Sequence, residues 1–167
     1  MTAAALLVPP YNDFFKVGVS SAGNHDNNIY NANWSEQHHG LTEVAAERTV
    51  TDGEANGGRN RNDGEDAAQQ EMHFDIQVPA NHELAANLKG RLLLVHGDMD
   101  NNVHPAGTIR LVNALIKANK RFDLMIMPGK AHGFADMQGY FNEMMYEYFA
   151  EHLLGDYYRT GADMNGR

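Results

Sequence analysis

Three side chains have the types and spacing for chemistry. Asp98 and Asp100 stand two residues apart in HGDMDNNVHP, directly after the apolar run RLLLV, and His132 follows Asp100 by thirty-two residues in KAHGF. A carboxylate at the end of a strand usually orients another group and does not itself react. An aspartate that holds an imidazole in one tautomer leaves the opposite ring nitrogen free to take a proton, which is the back half of an acyl-transfer triad. For acid and imidazole to meet, the segments carrying them must be neighbouring strands, because working residues of open parallel sheets collect beyond the strands' carboxyl ends.

The hydrophobic pattern supplies such strands. RLLLVHG is a continuous apolar run of the kind covered on both faces, RFDLMIMPG makes another strand with KAHGF as its exit loop, and FFKVGVSSAG, Phe14 to Gly23, reads as a buried strand closed by glycine. Helices lie between them. MTAAALL resembles the tail of a helix, PANHELAANLKG a short helix ending at Gly90, and Pro105 opens a helix whose stripe is Ile109, Val112 and Ile116 and which ends around Asn119. In NHDNNIYNANWSEQHHG a polar loop becomes a short helix with Tyr30 and Trp34 four apart on one face. The last helix shows one broad apolar face from Met137, Tyr140, Phe141, Met144, Met145, Tyr148, Phe149, His152 and Leu153, whose methionines and aromatics read as core packing. Alternating strands and helices predict an α/β fold with a parallel sheet flanked by helices.

Bulk properties exclude several classes of function. A chain of 167 residues with 43% hydrophobic content is one domain with a core, and residues 47–71, rich in glycine, asparagine and acids, read as a solvated, mobile polar insertion. A formal charge of -9 and no basic cluster argue against nucleic acid as a partner. The absence of cysteine removes disulfides, thiolate nucleophiles and cysteine-based zinc sites, and leaves the compartment open. MTAAALLVPP lacks a basic n-region and stops at Pro9-Pro10, too short for a membrane span or an ordinary signal peptide. No metal is expected: the Asp-x-Asp-x-Asn run at Asp98 has Val103 where a calcium loop needs glycine and Ile109 where it needs glutamate, and the adjacent His38 and His39 lack metal-ligand spacing.

Taken with their surroundings, LLLVHGDMDNNVHP and MPGKAHGF closely resemble the C-terminal catalytic domain of the prolyl oligopeptidase family, in its dipeptidyl peptidase IV branch. The resemblance runs from Met1 to about Leu154, interrupted by the polar insertion. It implies the C-terminal portion of an α/β-hydrolase fold, with Asp100 as triad acid and His132 as base, in the order nucleophile, acid, histidine. It places Asn102 and Val103 beside a bound peptide, and Tyr30 and Trp34 as walls of a small pocket for proline or alanine, where rigid aromatics suit a pyrrolidine ring. Asp98 takes a loop-bracing hydrogen-bond role, while Asn24 and Asn27 depart from the more apolar residues of that branch. His96 and His104 are expected to pack or cap.

The nucleophile is the departure that matters most. Such enzymes present it in a G-W-S-x-G-G elbow just before a helix that begins much like MTAAALL, so the serine is expected upstream of Met1. GVSSAG matches the elbow imperfectly with either Ser20 or Ser21 centred, and strand-end hydrogen bonding is the better account of both. The resemblance therefore implies the C-terminal part of a serine exopeptidase acting on peptides with Pro or Ala at the second position, needing no cofactor and inactive alone. A carboxylesterase-like hydrolase fragment shares the fold and the Asp and His placement, and a non-catalytic binding or assembly module is the alternative from another class. Because the neighbour of VGVSS is expected upstream too, an exposed sheet edge implies self-association or pairing with the missing N-terminal part.

Overall fold

The computed structural model describes residues 2–45 and 72–156. Along the chain these form α1 (Thr2–Leu7), α2 (Tyr11–Phe14), β1 (Val17–Ser21), α3 (Ala32–His39), β2 (Thr42–Ala45), β3 (Met72–Asp75), β4 (Arg91–Gly97), α4 (Ala106–Lys117), β5 (Asp123–Met127) and α5 (Gln138–Phe149). Strands β1, β4 and β5 pair in parallel in the order β1-β4-β5. The remaining two strands, β2 and β3, form an antiparallel pair in which Thr42 lies opposite Asp75. That pair flanks the polar insertion, whose expected mobility lies outside the described residues. Among the described residues no helix is long and apolar enough to cross a membrane.

The centre of the molecule follows from the period of β4. Successive side chains of a strand point to opposite faces, so a run apolar at every position buries both. Leu92 and Leu94 pack with Ala3, Leu6 and Leu7 of α1 and Leu111 and Leu115 of α4. Leu93 and Val95 face the other way, against Met127, Phe134, and Phe141 and Tyr148 of α5. The expectation that α5's methionines and aromatics build core holds, with Met144 and Met145 packed around that second cluster.

Several boundaries and faces differ from the sequence-based expectation. The strand expected over Phe14–Gly23 shortens to Val17–Ser21, because Phe14 ends α2, and it stands 77% exposed. PANHELAANLKG forms no α-helix; its bonds run from residue i+3 back to i, as from Leu84 N–H to Asn81 C=O, and they tighten into a 3₁₀ turn at Ala85–Asn87. So short a segment gains too few bonds to nucleate an α-helix. Helix α4 is rotated relative to the expected stripe: Ile109 and Ile116 are 51% and 63% exposed, while Thr108, Leu111 and Leu115 are buried. On α5 and its π-helical end at Ala150–Leu154, Tyr140 and Leu153 likewise face solvent.

Candidate active site

Strands β4 and β5 end level with one another, Gly97 pairing with Met127, so their exit loops begin side by side. The second loop crosses directly over the first strand's tip. A Cβ on Gly97 would lie 2.2 Å from Lys130 O and 2.5 Å from Ala131 O, so only glycine lets that backbone pass. Two hydrogen bonds stitch the loops there: Met99 N–H donates to Lys130 C=O at 3.0 Å, and Gly129 N–H donates to Asp98 Oδ1 at 2.6 Å. Asp98 thus takes the bracing role expected of it. Past the stitches Phe134 is buried edge-on against Phe141, ring centroids 4.9 Å apart, which ties the far end of the loop to α5.

Between those anchors His132 meets Asp100. His132 Nδ1 lies 3.0 Å from Asp100 Oδ2, and because an ionised carboxylate only accepts, Nδ1 donates and Nε2 is left as the proton-accepting nitrogen. The acid side chain is inaccessible to solvent, whereas the histidine side chain is 48% exposed. Asp100 Oδ1 accepts the N–H groups of Asn102 and Val103, both at 2.9 Å. Oδ2 also lies 3.2 Å from His96 Nε2. Burial pushes the Asp100 carboxyl up, but the Val103 N–H, the His132 side chain and the Asn102 N–H together outweigh it and hold the group below the ordinary aspartate value. A charged acid behind an accessible imidazole is the arrangement that general-base catalysis requires.

The other residues singled out from sequence are distributed around a cavity of about 530 Å³. Tyr30, Asn102 and Val103 line it, and the Tyr30 hydroxyl donates to Asn102 Oδ1 at 3.0 Å, joining the β1 exit to the acid loop. Trp34 does not line the cavity. It stands behind Tyr30, edge to ring at 5.8 Å, and stacks on His38 at 4.2 Å. The walls are more polar than an aromatic proline pocket: Asn24 lines it and donates to Asn27 Oδ1 at 2.7 Å, and Arg110 lines it while paired with Asp26 at 2.9 Å.

All three serines of the chain lie in ordinary structural settings. Ser20 and Ser21 are inside β1, paired with Leu94 and Val95, and the next helix, α3, begins only at Ala32. Ser35 is buried and donates to Asn27 C=O. None sits on a strand-to-helix turn, and among the described residues none is hydrogen-bonded to His132. Two features of the site escaped the sequence reading. The need for glycine at Gly97 had a signal in its place between apolar strand and acid loop; the bonding of His96 to Thr108 and to the Val103 carbonyl had none, since a histidine ending a buried strand looks like packing.

A parallel sheet flanked by helices, with an acid and an imidazole on adjacent strand exits, is the α/β-hydrolase type of fold. The sequence profile of the prolyl oligopeptidase family matches residues 1–156, and the chain belongs to that family. Over 42 residues it is 50% identical to dipeptidyl peptidase 8 of both mouse and human, a stretch covering 25% of this chain and 5% of those proteins. Among solved structures it is similar to a Bacteroides ovatus protein described as a dipeptidyl aminopeptidase IV, with a TM-score of 0.65 and 24% identity over 91% of this chain and 18% of that one. Porphyromonas gingivalis dipeptidyl peptidase 4 gives a TM-score of 0.53 at 23% identity, covering 82% of this chain and 16% of its own. The chain thus spans a small fraction of each of these relatives.

Proposed function

We propose that this chain carries the acid and base of a serine exopeptidase that releases dipeptides after Pro or Ala, the attacking serine lying outside these 167 residues. The observation that supports the reading most is the 3.0 Å contact of His132 Nδ1 with a buried Asp100 that leaves the opposite ring nitrogen open to solvent. In the complete enzyme the serine attacks the carbonyl after Pro or Ala, and its proton passes to His132 Nε2. Asp100 stabilises the imidazolium, which then returns the proton to the leaving amine. Asn102, Val103 and Tyr30 border the substrate, with Trp34 backing Tyr30. Incubating the purified chain with a Gly-Pro chromogenic amide, beside a fluorophosphonate label, should give neither turnover nor labelling. Turnover abolished by Ser20→Ala would overturn the reading.

The same reading makes β1 the strand along which the serine-bearing segment, or a second copy of the chain, adds. Among the described residues β1 pairs only with β4, and Tyr11, Phe14 and Phe15 stand exposed just before it. Unpaired parallel edges of this kind recruit other chains. Light scattering over a wide concentration range should show association; a stable monomer throughout would count against it.

A further inference from the structure

His96 ends the buried run of β4 and is fully shielded from solvent. Its Nε2 lies 2.8 Å from Val103 C=O, and a carbonyl only accepts, so Nε2 carries the ring hydrogen. The same N–H lies 3.2 Å from Asp100 Oδ2. Nδ1 is therefore an acceptor, and Thr108 Oγ1, 2.7 Å away in the first turn of α4, donates to it. Val103 is held at both ends: its N–H by Asp100 Oδ1 and its C=O by His96. A chain of contacts thus runs from Thr108 through the His96 ring to the Val103 peptide, from its N–H to the acid, and on to His132.

We propose that His96 and Thr108 are positioning residues of the proton relay: His96 holds the Val103 carbonyl, and through it the Val103 N–H that the acid accepts, while Thr108 locks His96 in the tautomer that cannot act as a base. The proposal rests on Asp100 being the triad acid. Two imidazoles lie within 3.2 Å of one carboxylate oxygen, and only one of them must take the serine's proton. With its Nδ1 occupied by the Thr108 hydroxyl and its Nε2 already protonated, His96 has no free lone pair to compete. Only His132 is left open. Of the other titratable groups nearby, His25 at the β1 exit is buried and neutral, so no third imidazole supplies a proton to the pair.

The test uses the chain labelled with ¹⁵N in its histidine rings and ¹³C in its aspartate carboxyls. In the unaltered chain His96 should show the Nε2–H tautomer. His96→Phe should move the Asp100 carboxyl midpoint up by roughly half a pH unit or more and speed solvent exchange of the His132 Nδ1 proton, and His96→Gln, whose amide reaches the Nε2 position, should restore much of both. Thr108→Val tests the lock without touching the ring and should let the second tautomer appear; it also supplies the measurement if His96→Phe fails to fold. An Nδ1–H tautomer in the unaltered chain, or an Asp100 midpoint unmoved in folded variants, overturns the proposal. Neither result touches Asp100 as the acid, which falls instead if Asp100→Asn leaves a serine-complete enzyme active.

Discussion

The exits of β4 and β1 open on the same side of the sheet and are built in opposite ways. At the β4 exit three N–H groups converge on the two oxygens of Asp100, from Asn102, Val103 and His132. At the β1 exit Ala22 takes a left-handed φ of 46°, and the buried His25 ring has a hydrogen-bond partner at Nδ1 but none at Nε2. Position in the sheet accounts for the contrast. The central strand's exit has α4 and the β5 loop to supply donors, whereas the edge strand's exit has such company on one side only. Polar groups buried without partners are costly, so the site's rigidity lies with the acid and its weakness with the neighbouring wall.

The largest test breaks the wired exit. Asn in place of Asp100 can still accept from the Asn102 and Val103 amides, but its own amide then faces the N–H of His132, so the imidazole loses its orienting partner. In an enzyme completed by its serine, Asp100→Asn should lower kcat about 10⁴-fold, or about 5.5 kcal/mol of barrier, with KM little changed. A loss below tenfold in steady-state kinetics would mean that the acid does not orient the base.

Gly97→Ala comes next, because it pries the two loops apart without altering the Asp100 or His132 side chain. The added carbon meets backbone oxygens at 2.2 and 2.5 Å, and backbone cannot rotate aside as a side chain can. Denaturant unfolding should show a loss of about 3 kcal/mol, the upper range for overpacking, and the His132 Nδ1 proton should exchange faster. An unchanged midpoint would mean that the β5 loop tolerates displacement.

How much of this was legible in the sequence follows the same division. Strand β4 could be read outright because a strand buried on both faces must be apolar at every position, and Asp100 and His132 could be placed because their motifs are distinctive. The face of α4 could not: leucines and isoleucines alternate around it, and the choice of Leu111 and Leu115 is made by the leucines of α1 and β4 that they meet. Thr108 is buried on that face for a polar reason, its bond to His96, which leaves no trace in hydrophobic periodicity. Tyr30, Trp34 and the departing asparagines Asn24 and Asn27 mark the β1 exit in the sequence, whereas His25 and the Arg110–Asp26 pair that line it depend on contacts across more than fifty residues of chain.

The weak exit has its own signature in pH. Burial is the main force that pushes the His25 imidazole down from 6.5 to about 4. The unfolded chain therefore binds a proton that the folded one refuses between those values, so stability falls as pH is lowered through that window, by at most about 3 kcal/mol. The Asp100 carboxyl, held below its usual value, removes stability only at lower pH still. Urea midpoints at several pH values should show the first slope, and His25→Leu should flatten it. A slope that survives the substitution would place the weakness elsewhere.

The smallest expected effect concerns the base. His132 is half exposed, and among the described residues its ring is held by one hydrogen bond, the one to Asp100. His132→Ala should change the stability of the chain by no more than about 0.5 kcal/mol, because an exposed ring contributes little packing and water can reach the vacated side of Asp100 Oδ2. The Asn102 and Val103 N–H groups remain on the carboxylate, so the acid loop should keep its amide protection in hydrogen exchange. A large loss of stability or of that protection would show that the base holds the acid in place. The expected order is the reverse: the acid loop is complete without the histidine, and the histidine takes its orientation from the loop.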